Sequence, residues 1–67
     1  MKRKDYKPMI ELKVLRIRKG LRQVDLAEMV GVSQNSISMY EAGVRYPKKR
    51  TLDKIAEALD CDIKKII

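Results

Sequence analysis

This sequence predicts a small all-α domain, a compact five-helix bundle, and three observations carry that prediction. Apolar residues recur at helical spacing in several separate runs, as at Leu52, Ile55, Ala56 and Leu59. The first three runs each stop at a glycine, the residue best suited to closing a helix. With 67 residues, the chain buries only roughly 60% of the surface it exposes when unfolded. A helical bundle is the least demanding architecture at that size.

Residues 1–8 read as a flexible basic arm, because 1–7 carry four basic side chains and one acid without an apolar period. Residues 9–67 then form one domain. Pro8 fits a helix start, and the first helix is expected over about 9–19, with Leu12 and Leu15 on its core face, ending at Gly20. The second spans about 23–30, where Leu26, Ala27 and Val30 share a face, and Gly31 supplies the turn. Ser33 suits the N-cap of a third helix that runs to about residue 42 and ends at Gly43. Residues 44–49 read as a loop, since Pro47 lacks an N–H and pushes Tyr46 toward an extended conformation. A fourth helix takes about 49–59, and Asp62 caps a terminal turn over 63–67, counted as the fifth. The chain is 45% apolar, and its three aromatic residues are all tyrosine. Its core must therefore be built from Leu, Ile, Val, Ala and Met.

Composition removes several function classes. There is no histidine and only one cysteine, Cys61, so the commonest general base is missing and no zinc site can be assembled. No glycine-rich phosphate loop of either familiar spacing is present. Asp53 and Glu57, one helical turn apart, fit a solvated face better than acid-base chemistry. No catalytic residue, metal or cofactor is expected. No apolar run approaches the roughly 20 residues of a membrane span, and the basic start lacks the apolar stretch of a leader. The expectation is a soluble, cytoplasmic protein.

Sixteen Lys and Arg against nine Asp and Glu give a net charge of +7, which favours a polyanionic partner or an acidic membrane surface without choosing between them. Against that background residues 29–40 carry no charge, and they include Ser33, Gln34, Asn35 and Ser36 in succession. A neutral hydrogen-bonding patch between basic flanks suggests a surface that reads a polyanion, and is read as a DNA-binding helix-turn-helix. The flanks hold the polyanion, and the patch reads it by geometry. Two helices crossing steeply through a short turn also need a small residue at closest approach, here Ala27, and a turn glycine, here Gly31. Ile37 and Tyr40 would anchor the third helix, leaving Gln34, Asn35, Ser38 and Met39 outward.

These residues sit in spaced motifs: R-x-x-x-G-L at 16–21, Q-x-x-L-A-x-x-V-G-V-S at 23–33, I-S-x-Y-E-x-G at 37–43, Pro47, and L-x-x-I-A-x-A-L at 52–59. Together they resemble the Cro and phage-repressor helix-turn-helix family, over about residues 12–63. The resemblance implies a lambda-repressor-like DNA-binding domain whose third helix reads the major groove of double-stranded DNA. It implies base reading by Gln34, Asn35 and Ser36, and by Met39 through apolar contact with a thymine methyl. Gln23 would bond a phosphate and brace Gln34, while Arg45 and Lys48 clamp the backbone. Arg22, Ser33, Ser38 and Lys49 complete the expected phosphate-facing set. Arg16 and Glu41 match a partly buried ion pair, the alternative being two separately solvated charges. The resemblance further implies a homodimer, formed in solution or only on DNA, through about 59–67. The dimer would sit on a two-fold operator with half-sites roughly 34 Å apart, acting as a repressor in preference to an activator.

Three departures stand out. Arg22 replaces the usual Ser or Thr cap of the second helix, weakening that cap by about 1 kcal/mol. Cys61 replaces the usual Val, as a small buried hydrophobe or, less favoured, a reactive thiol. Ile10, Val14 and Ile17 form a second apolar stripe on the first helix, open to a partner, to a missing segment, to the arm or to solvent. That stripe supports the alternative function, a protein-interaction module or antitoxin with DNA binding secondary.

Overall fold

The computed structural model describes residues 6–67; the part of the expected arm over residues 1–5 lies outside that range. Helices α1 (Ile10–Arg18), α2 (Gln23–Val30), α3 (Gln34–Ala42) and α4 (Lys49–Ala58) follow in order, and a 3-10 turn, Ile63–Lys65, comes last. No strand occurs among the described residues. The described residues are all-helical as expected, but among them are four α-helices where five were expected. Ile63 and Ile66 explain the difference. Ile66 is buried and Ile63 packs on the core, and residues three apart line up on one side of a helix with three residues per turn. The Asp62 carboxylate accepts the Lys64 N–H at 3.3 Å and caps this turn.

The first helix begins one residue later than its sequence pattern suggests. Met9 is buried, and its N–H donates to the Tyr40 carbonyl at 3.3 Å, so it ends an extended entry instead of opening α1. Pro8 accordingly stands just outside the helix. Residues 6–8 adopt no regular structure but are not free, because the Tyr6 N–H donates to the Gly43 carbonyl at 2.7 Å.

The first three helices close alike. The N–H groups of Leu21, Val32 and Val44 reach back to the carbonyls of Arg16, Ala27 and Met39 at 3.0, 3.0 and 2.9 Å, each after a glycine in the left-handed region. Only Gly43 is also crowded: a Cβ there would meet the Tyr6 carbonyl oxygen at 2.5 Å, whereas one on Gly31 would meet nothing within 4 Å. After α4 no glycine is available. Asp60 takes the left-handed conformation instead, at φ +54°, and the Cys61 N–H reaches Ala56 O at 3.0 Å. A short polar side chain tolerates that region better than most.

Leu12, Leu26, Ile37, Ile55, Leu59 and Ile66 are fully buried and join all four helices to the terminal turn. Ala27 on α2 is buried in the core, as a small residue expected at a close helix approach is. Ile37 and Tyr40 anchor α3 as expected. The packing thus fixes one face of α3 and leaves the N-terminal part of the other face open.

Candidate nucleic-acid interface

Ser33 caps α3 by the expected bond, its hydroxyl oxygen accepting the Ser36 N–H at 3.1 Å. The same hydroxyl donates to Ser36 Oγ at 3.1 Å. Both serines are therefore engaged locally, and Ser36 keeps its own proton to donate. Gln34 and Asn35, in the first turn, are exposed, while Ser38 and Met39 are half-buried on the same helix. The four expected base readers thus occupy one helix, with Gln34 and Asn35 the most open.

Gln34 belongs to a relay that runs into the core. Its Nε2 donates to Gln23 Oε1 at 3.4 Å, Gln23 Nε2 donates to Glu41 Oε1 at 3.0 Å, and Glu41 Oε2 accepts from Arg16 Nε at 2.7 Å. Arg16 also donates from Nη2 to Glu41 Oε1 at 3.3 Å and from Nη1 to the Leu21 carbonyl at 2.7 Å. The ion-pair side chains are 9% and 5% exposed, so Arg16 and Glu41 form the buried pair and not two solvated charges. The polarity of the relay is determined: a carboxylate only accepts, so the Gln23 amide must turn its NH2 to Glu41 and its oxygen to Gln34. Gln34 is left with one free N–H and a free carbonyl oxygen.

The cations divide into free and paired groups. Arg45 and Lys48 are exposed and appear in no ion pair among the described residues, whereas Lys49 makes a long, exposed contact with Asp53 at 3.4 Å. Arg22 grips Asp25 at 3.0 Å through both Nε and Nη2, and the Asp25 carboxylate accepts the Arg22 backbone N–H at 2.8 Å. The Arg22 side chain, which has no acceptor, does not cap α2; Asp25 supplies the first-turn acid that satisfies the entry. Hydrogen bonds from Arg22 hold the Asp25 carboxyl below its ordinary range, and Asp25 in turn raises Arg22. Sequence reasoning missed this pairing, although an acid three residues beyond the cap position was its signal.

Away from α3, burial together with Asp62 and Asp60 pushes the half-buried Cys61 thiol up, away from the reactive thiolate. No group of His, Cys, Asp or Glu that could hold a metal occurs among the described residues. No helix among them is long and apolar enough to cross a membrane. Of the second stripe, Ile10 and Ile17 are exposed and Val14 is half-buried. Ile10 also borders an open groove of about 460 Å³ with Pro8, Met9, Tyr46, Ile66 and Ile67.

Residues 12–66 match the family described as Helix-turn-helix (HTH_3). The chain belongs to the helix-turn-helix family. Among curated relatives, the cryptic phage CTXphi transcriptional repressor RstR of Vibrio cholerae is 30% identical over 57 residues. That match covers 85% of this chain but 51% of the relative, so the chain spans about half the length of the protein it matches. Among solved structures, the P22 c2 repressor in complex with a synthetic operator is 31% identical, with a TM-score of 0.84, covering 91% of this chain and 94% of that one. The restriction-modification controller protein C.AhdI of Aeromonas hydrophila is 32% identical, with a TM-score of 0.80 over 85% and 86% of the two chains. The helix-turn-helix itself is α2, the turn over residues 31–33 and α3; Gln23, Gln34 and Glu41 lie within it, and Arg16 ties it to α1.

Proposed function

We propose that the chain is a sequence-specific double-stranded DNA-binding transcriptional regulator, a repressor, that sets the open face of α3 in the major groove. The observation that carries this reading is the fixed amide of Gln34. With one N–H directed to Gln23, its remaining N–H and its carbonyl oxygen match the N7 acceptor and N6 donor of adenine. The same oxygen would oppose the O6 acceptor of guanine. Asn35, Ser36 and Met39 read neighbouring positions, Met39 by apolar contact with a thymine methyl.

Arg45, Lys48 and Lys49 hold the phosphate backbone from the loop and the start of α4, with Arg22 and Ser38 at the margins. Ser33 contributes chiefly by holding the first turn of α3, since its hydroxyl is engaged with Ser36. The Gln23 amide spends one N–H on Glu41 and its oxygen on Gln34, which leaves its second N–H and the backbone N–H groups at the start of α2 for a phosphate contact. One recognition helix covers too few base pairs for useful specificity, so two copies bind a two-fold operator with half-sites roughly 34 Å apart. The P22 c2 repressor bound to an operator and the phage repressor RstR support the DNA partner and the repressor role.

The decisive experiment is selection of binding sites from a random duplex library, followed by gel shifts at low and high salt. A two-fold consensus with adenine at the Gln34 position supports the reading; no shift of any duplex at low salt overturns it. A second reading, a protein-interaction module or antitoxin, rests on the exposed Ile10 and Ile17 side chains and the adjoining groove. The absence of any shift is its distinguishing outcome.

A further inference from the structure

Residues 6–9 lie as a strap across the C-terminal end of α3 and are fastened at both ends, by Tyr6 N–H to Gly43 O at 2.7 Å and by Met9 N–H to Tyr40 O at 3.3 Å. The strap and the chain at residue 43 meet so closely that only glycine fits: a Cβ there would lie 2.5 Å from Tyr6 O and 2.9 Å from Pro8 N. The Tyr6 ring packs on the Tyr46 ring, with centroids 5.9 Å apart and planes at 36°. Both tyrosines are nearly half exposed, at 46% and 42%, so the pair is no part of the core. It joins two surface segments that are distant in sequence.

One of those segments is the loop between α3 and α4. It is held on the α3 side by the N–H groups of Val44 and Arg45, which share the Met39 carbonyl at 2.9 and 3.3 Å, and it re-enters helix where Leu52 N–H reaches Lys48 O at 2.8 Å. Between those fastenings stand Arg45, Tyr46, Pro47 and Lys48. Pro47 is buried, while Arg45 and Lys48 are exposed cations. The ring of Tyr46 is the one side chain of this stretch that packs on the strap through an aromatic contact.

We infer that Tyr6 is a positioning residue for DNA binding: through Tyr46 and Gly43 it holds the loop in the shape in which Arg45 and Lys48 meet the phosphate backbone. This rests on the DNA-binding reading above. The physical reason is preorganisation. A loop that must be ordered during association subtracts that ordering from the affinity, and where the ordering costs more than a phosphate contact returns, that contact is not made. Because the cations it carries contact phosphates and not bases, the effect falls on all sequences alike.

The test uses the full 67-residue chain as wild type, Tyr6→Ala, Tyr6→Phe and Tyr46→Ala, each titrated against a selected site and a random duplex over a range of salt. Urea unfolding checks that each variant is folded under assay conditions. Tyr6→Ala should weaken both duplexes by roughly 3- to 10-fold and flatten the salt slope by about 1, the signature of one lost phosphate contact. Its base preference should be unchanged. Tyr6→Phe, which keeps the ring and the backbone bond, should restore affinity and slope, which assigns the effect to the ring and not to the hydroxyl, while the urea midpoints separate it from general destabilisation. Tyr46→Ala removes the same ring pair from the other side and should reproduce Tyr6→Ala, which keeps the test decisive if Tyr6→Ala proves unfolded. Wild-type affinity and slope in both alanine variants, or a loss confined to the selected site, overturns the inference alone. A wild-type chain that binds neither duplex overturns the DNA-binding reading and the inference with it.

Discussion

Removing the Glu41 carboxylate should be the most damaging single change at the base of the reading helix. Glu41→Ala deletes the acceptor of two bonds from Arg16, at 2.7 and 3.3 Å, and of one from Gln23, at 3.0 Å. An exposed ion pair contributes at most about 1 kcal/mol. This pair is different, because the Arg16 side chain is only 9% exposed. Its guanidinium would be left buried against the single carbonyl of Leu21, and stranding a buried charge costs about 3–5 kcal/mol. At about 0.05–0.15 kcal/mol per residue, a domain of this length has about 3–10 kcal/mol in total, so the variant should stand at the edge of unfolding. The control is Arg16→Met combined with Glu41→Leu, which leaves no buried charge. It should regain part of the loss: the Leu21 carbonyl and the Gln23 amide lose their partners but are only part-buried, so water can replace much of what they lose. Urea unfolding followed by circular dichroism measures all three chains. A Glu41→Ala variant within about 1 kcal/mol of wild type, or a double variant no more stable than the single one, would refute the reasoning.

Four further outcomes follow from the same geometry. Gln34→Ala should cost roughly 1–3 kcal/mol on the selected site and relax preference at one or two base positions, measured by competition among single-base variants of that site. Lys48→Ala should weaken all duplexes alike and flatten the salt slope by about 1; equal behaviour of these two variants across sequences would deny base reading by α3. Gly31→Ala should cost about 1–2 kcal/mol for its left-handed backbone alone, and Gly43→Ala clearly more, because its Cβ also meets the strap; equal urea midpoints would contradict that packing. Asp25, whose pKa is lowered in the folded chain, contributes stability that is present above its unfolded pKa of about 3.9 and fades as pH falls through the lower folded value. Asp25→Asn should remove that acid-side loss and, by freeing Arg22, raise affinity for random duplex at low salt.

Local signals made α2 and α3 legible. The end of α2 and both bounds of α3 follow from Gly31, Ser33 and Gly43, each acting on the few residues beside it. The start of α1 was less legible, because the Met9 N–H is taken by Tyr40, more than thirty residues away. No side-chain period reveals a backbone bond of that kind, and for the same reason residues 6–8 read as arm although they are fastened to Gly43. The terminal turn over 63–67, counted as a fifth helix, carries apolar residues at a spacing of three, Ile63 and Ile66, which fits a 3-10 turn. Resemblance supplied the partners Gln23 with Gln34 and Arg16 with Glu41. It said nothing of Tyr6 with Tyr46, whose contact depends on where two loops happen to pass.

The polarity of the relay limits what the recognition position can become. Gln23 offers Gln34 an oxygen because its nitrogen is committed to Glu41. A side chain that only accepts, such as Glu chosen to read the amino group of cytosine, would face that oxygen directly. Gln23 could not rotate to help without aiming its own oxygen at a carboxylate. On the proposed DNA-binding reading, retargeting is therefore a problem of at least two positions, and single-site libraries at residue 34 should return side chains that carry a donor.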